Sequence, residues 1–206
     1  MSEQKELPLG LKRASMVAMV GGALMGILSA HSMAQVLEPV DYDALAKEQP
    51  PVVAGPKALA KLPPAFLKSY GRNLEAMKGS RVAILMLLSV AASLLFVSSL
   101  RMLRPLGVPR EGVRRLLGGA ALACAIFATL DGAQSTAAAN RASLAVDRVA
   151  LEEAITDWLP GMFGAVAVLL WAGFTLVIAG SFTGLWMYFK SERVQEQLQK
   201  LEDSSS

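Results

Sequence analysis

Apolar residues in this chain do not recur at helical or strand spacing over most of its length. They gather into four blocks, roughly 14–37, 82–100, 113–130 and 162–189, separated by polar, charged or proline-containing stretches. Each block is close to the ~20 residues needed to cross ~30 Å of hydrocarbon at 1.5 Å per residue. The pattern predicts an all-α integral membrane protein, a four-helix transmembrane bundle with spans at 14–37, 81–103, 113–134 and 161–189. The third span has the shortest clean apolar core, 116–130. It reaches spanning length when Arg114 and Arg115 snorkel toward one interface and the helix continues through Asp131 to Gln134.

The polar stretches carry their own patterns. Residues 1–13 are a polar head that ends in Lys12 and Arg13. Residues 38–80 contain six prolines (Pro39, Pro50, Pro51, Pro56, Pro63 and Pro64), which keep much of the segment extended and leave it without a core of its own. Within it Phe66, Tyr70, Leu74 and Met77 share a helical face, predicting a short amphipathic helix over 65–78 that covers the ends of the bundle or rests on the membrane surface. Pro105, Gly107 and Pro109 turn the chain tightly in the 104–112 loop. Residues 135–160 are alanine-rich and acidic, a helical segment with Leu144, Leu151, Ile155 and Trp158 on one face, broken by Pro160 and Gly161. The tail, 190–206, continues as a helix. Its Met187, Val194, Leu198 and Leu201 fit a heptad seam of barely two repeats, and the same residues also fit a solvated end of the last span.

Composition agrees with the membrane reading, with 53% hydrophobic and 18% charged residues and a mean hydropathy of +0.43. The net charge of +3 is unevenly spread. Arg101, Arg104, Arg110, Arg114 and Arg115 crowd around one short loop in which Glu111 is the lone acid, so the positive-inside rule accounts for them and no nucleic-acid partner is implied. Placing that loop in the cytoplasm puts both termini there as well, and puts 38–80 and 135–160 outside. The five acids and two arginines of 131–160 agree with translocation, whereas the mildly basic 38–80 segment argues weakly the other way. Lipid headgroups are the expected contacts of the five arginines. The implied location is a bacterial inner membrane.

A second reading of the first block is a cleaved signal peptide, with a basic start, an apolar middle and small residues at Ser32 and Ala34. Against it stands a ridge of small residues at four-residue spacing, Ala14, Ala18, Gly22, Gly26, Ala30 and Ala34. Such ridges let helix backbones approach where lipid supplies no hydrophobic drive for association. Ala18, Gly22, Gly26 and Ala30, together with Gly180 and Gly184 in the fourth span, are therefore the candidate helix-packing residues, within the bundle or toward another chain. Ser89 and Ser93 form a further small pair in the second span.

Ionisable chemistry is sparse. His31 and Asp131 each lie ~25 Å along an outward-running helix at 1.5 Å per residue, near the outer boundary, and form a candidate ionisable pair for proton or cation handling. Glu152, Glu153 and Asp157 read as a solvated face rather than a cation site, and the ten methionines as packing. With one histidine and one cysteine, Cys124, the chain offers no paired haem ligands, no CxxC and no HExxH. No cofactor is implied. The expectation is a non-enzymatic accessory or assembly subunit that partners another membrane protein or its own copy. Two alternatives are a small transporter or channel subunit using His31 and Asp131, and a sensor whose tail helix signals inward.

Overall fold

A computed structural model describes residues 7–38, 64–104, 110–153 and 162–203. Regular structure among them is entirely helical: α1 (Leu9–Leu37), α2 (Pro64–Ala76), α3 (Lys78–Leu103), α4 (Arg110–Glu153), α5 (Met162–Lys190) and α6 (Glu192–Asp203). Four of these, α1, α3, α4 and α5, are long and apolar enough to cross a membrane. The protein is an all-α multi-pass membrane protein. Most of the proline-rich segment, the Pro105–Pro109 turn and the Pro160–Gly161 break lie outside the described residues. So do the side chains of Phe66, Arg110, Leu151, Glu152, Glu153, Ile155, Asp157 and Trp158.

Helix starts and breaks have local causes. Pro8 precedes α1, with its carbonyl accepting from Lys12 N at 3.0 Å, and Pro64 opens α2, since a proline at the first position loses no helical hydrogen bond. The α2–α3 junction is a tight turn at Met77, whose N–H donates to Leu74 O at 3.1 Å and whose carbonyl accepts from Arg81 N and from the Ser80 hydroxyl, both at 2.9 Å. The third apolar block and the acidic segment after it form one helix, α4, of 44 residues, longer than a bilayer core requires. The tail does not run on from the fourth span. It breaks at Ser191, whose N–H and hydroxyl both turn back to Tyr188 O while its own carbonyl accepts from Val194 N and Gln195 N in the first turn of α6.

The chain divides into two compact units, one of Met1–Met33, Ala83–Thr129 and Val177–Ser206, the other of Ala34–Val82 and Leu130–Leu176. In the first unit the helices pack antiparallel. The close approaches run from Gly22 to Ala92 and Phe96, from Gly10 to Tyr188 and Gly21 to Phe182, and from Gly118 to Trp186 and Phe189. Its core contains Leu11, Ala18, Leu88, Ala92, Leu95, Met102, Leu117, Cys124, Phe182 and Phe189. Val194 and Leu198 of α6 are buried in that same core, with Leu201 packed against it, while Met187 stays 62% exposed. The tail stripe is therefore neither a solvated end nor an open seam, because the bend at Ser191 folds it back onto its own chain. In the second unit α4 presents almost only small residues inward: Gly132, Ser135, Ala138, Ala139, Ala142 and Ser143 are buried.

Candidate functional site

The small-residue ridge of α1 is used, in part, inside the chain. Ala18 is fully buried. A Cβ added to Gly22 would lie 2.9 Å from both Ala92 O and Phe96 N, backbone atoms that cannot step aside, so this position admits only glycine at the present helix separation. Gly26 is looser, with its would-be Cβ 3.8 Å from the Ala92 methyl. Ala30 is exposed. In the second span Ser93 is exposed and turns its hydroxyl to Ser89 O at 2.8 Å, a bond within its own helix.

Gly180 and Gly184 behave differently. Both are exposed, and a Cβ on either would meet nothing within 4 Å; the same holds for Gly173 one face-repeat earlier. The face they share on α5 also carries Leu169, Leu176, Val177 and Met187, each between 62% and 72% exposed. These two glycines make no intrachain packing contact among the described residues.

The closest approach of all was not legible as a small-residue motif. A Cβ on Gly132 would overlap the whole side chain of Thr175, whose hydroxyl is committed to Trp171 O at 2.8 Å. Gly132 sits in DGAQSTAAAN, where the expected third span runs on into the alanine-rich helical segment and no second glycine four residues away marks it. The available signal was the row of small residues that continues from Ala121, Ala125 and Ala128 through Gly132, Ser135 and Ala139 at three- and four-residue steps.

Asp131 is paired with an arginine of α3. Arg81 Nε donates to Asp131 Oδ1 at 3.2 Å, with side-chain exposures of 11% and 24%. One turn further on, Gln134 Nε2 donates to the Ser80 hydroxyl at 3.0 Å. Together they form a polar layer between α3 and α4 in the second unit. The Arg81 guanidinium gives Asp131 an ion-pair partner within its own unit. His31 lies exposed on α1, in the first unit. Among the described residues no three His, Cys, Asp or Glu side chains gather as metal ligands.

The arginine cluster also divides. Arg101 and Arg104 are exposed at the end of α3, and Arg115 is 75% exposed while its Nε donates to Glu111 at 2.9 Å. Arg114 instead turns inward and is 5% exposed. Its Nε and Nη2 clamp Glu111 at 2.7 Å each, and its Nη1 donates to Phe189 O at 2.5 Å, capping the last turn of α5. Arg114 is therefore an internal fastener between α4 and α5, not a lipid headgroup contact: its neighbour one residue on occupies the outward face, and a helix cannot aim both the same way. No protein-family model, curated protein or solved structure matches this chain.

Proposed function

We propose that the protein is a non-enzymatic accessory or assembly subunit of a bacterial inner membrane, with both termini cytoplasmic, which holds another membrane-embedded chain through a small-residue helix face. The observation that carries this reading is the open face of α5. Gly173, Gly180 and Gly184 leave a shallow strip flanked by exposed Leu169, Leu176 and Val177, where a second helix backbone can approach closely. The α1 ridge is less suited to the task, because Gly22 is already consumed by α3. The orientation is supported by the arginines around 101–115 and by the acid-rich 131–160 segment.

The test is to extract the tagged full-length protein in mild detergent and compare the wild type with G180L/G184L by native migration. The wild type is expected to travel in a complex larger than one copy, and the double variant to run as the single chain. A wild type that migrates as one copy, or a variant whose complex is unchanged, overturns the proposal.

A further inference from the structure

The helix contacts of the first unit bring cations from separate parts of the chain to one end. Gly10 at the start of α1 lies against the Tyr188 hydroxyl near the end of α5, and Arg114 at the start of α4 is bonded to Phe189 O. Only residues 105–109 separate the segment ending α3 from the start of α4 in sequence. At this end Lys12, Arg13, Arg101, Arg104, Arg115 and Lys190 are all exposed. Apart from the acids of α6, the carboxylate described near them is Glu111, which is already clamped by Arg114 and shared with Arg115. Among the described residues, the salt bridges at this end join Glu111 to Arg114 and Arg115, not to Lys12, Arg13, Arg101 or Arg104. Lys190 lies over the Trp186 ring at 5.1 Å, an arrangement suited to a membrane interface, where the indole takes the acyl–headgroup boundary and the ammonium reaches outward.

We propose that this end of the molecule is a binding surface for anionic phospholipid, a collar of six cations contributed by α1, α4, α5 and the segment ending α3, which gathers phosphate headgroups from the adjoining leaflet. Its position follows from the spans. The cations stand at or just beyond the ends of helices that cross the hydrocarbon, at the depth of lipid phosphates and not that of a soluble ligand. Placement on different helices matters too, because headgroups bridging them would fasten helix ends in addition to the buried contacts of Leu11, Met102, Leu117 and Phe189. The surface is independent of whether another chain covers α5.

The experiment uses Trp186 as the reporter. The full-length protein, with Trp158 and Trp171 replaced by phenylalanine, is reconstituted into phosphatidylcholine vesicles containing rising fractions of dibrominated phosphatidylglycerol or dibrominated phosphatidylcholine. Quenching is expected to show roughly a tenfold preference for phosphatidylglycerol beside Trp186, falling as salt is raised. Replacing Lys12, Arg13, Arg101 and Arg104 by glutamine should bring the preference close to parity. A companion protein that keeps only Trp171, fifteen residues earlier on α5, should show no preference. Equal quenching of the wild-type collar by both lipids overturns the proposal. So does a preference that survives the four substitutions, or acidic soluble protein that binds this end without any headgroup preference.

Discussion

Two neighbouring helices show how burial is decided in this molecule. Over its most apolar window α5 is 6% buried, whereas α4, interrupted by Asp131, Gln134 and a run of alanines and serines, is 44% buried. In a soluble protein the ranking would be reversed, because apolar area leaves water. Where lipid is the solvent an exposed leucine costs nothing, and helices associate where small residues permit close approach and polar groups need one another. Helix α4 has both: from Gly118 onward its inward stripe is Ala, Ser, Cys and Gly, and Arg81 pairs with Asp131. Helix α5 offers bulky chains to the outside and meets α4 at Gly132, Gly118 and Arg114.

The largest effect should follow from closing the tightest of these approaches. Gly132→Leu forces a side chain into space filled by Thr175, so α4 and α5 must separate locally; we expect a loss of about 3 kcal/mol, at the upper end of overpacking penalties. Thermal unfolding in detergent measures it. The exchange G132A/T175G, which moves the glycine to the partner helix, should recover most of the stability that G132A alone loses. An unchanged melting temperature in Gly132→Leu would break the contrast between a covered α4 and an uncovered α5. Gly22→Leu tests the same physics between α1 and α3, against backbone atoms, and should cost about 2–3 kcal/mol.

How far these positions were legible depends on the residue. The four spans follow from apolar blocks of membrane length, a signal that needs no tertiary information. Gly22 was legible because its ridge lies in a strongly apolar run. Gly132 was not, because the same four-residue spacing is diluted there by Gln134, Thr136 and Asn140, and no second glycine stands four residues away. The pairing of Asp131 with Arg81 has a different basis. Arg81 and Asp131 stand nearly equidistant in sequence from residues 105–109. Helices α3 and α4 running in opposite directions set them opposite one another, and Ser80 with Gln134 as well. The inward turn of Arg114 has no such signal, since Arg114 and Arg115 share composition and loop and differ only in which face of α4 they occupy.

The polar layer should matter less than the glycines. Arg81 and Asp131 are partly exposed to solvent or lipid headgroups, so solvent screening limits the pair, and a double-mutant cycle with R81Q and D131N should return a coupling of about 1 kcal/mol. Both single variants should be destabilised, and the double variant by less than their sum. Additive losses would mean that α4 is held by its small residues alone, sharpening the contrast with α5 into a matter of shape.

The smallest expected effect is also the most discriminating. G180L/G184L places two leucines on a face where a Cβ meets nothing within 4 Å, so in the isolated chain they should leave stability within about 0.5 kcal/mol, shifted if anything upward by helix propensity. The same pair is expected to abolish the larger complex. That combination separates a face reserved for another chain from one that merely contacts lipid: lipid adapts to two added side chains, whereas a helix backbone lodged against Gly180 and Gly184 cannot. If the isolated chain itself loses more than about 1 kcal/mol, the glycines serve the chain's own packing and α5 is not the open helix that its exposure indicates.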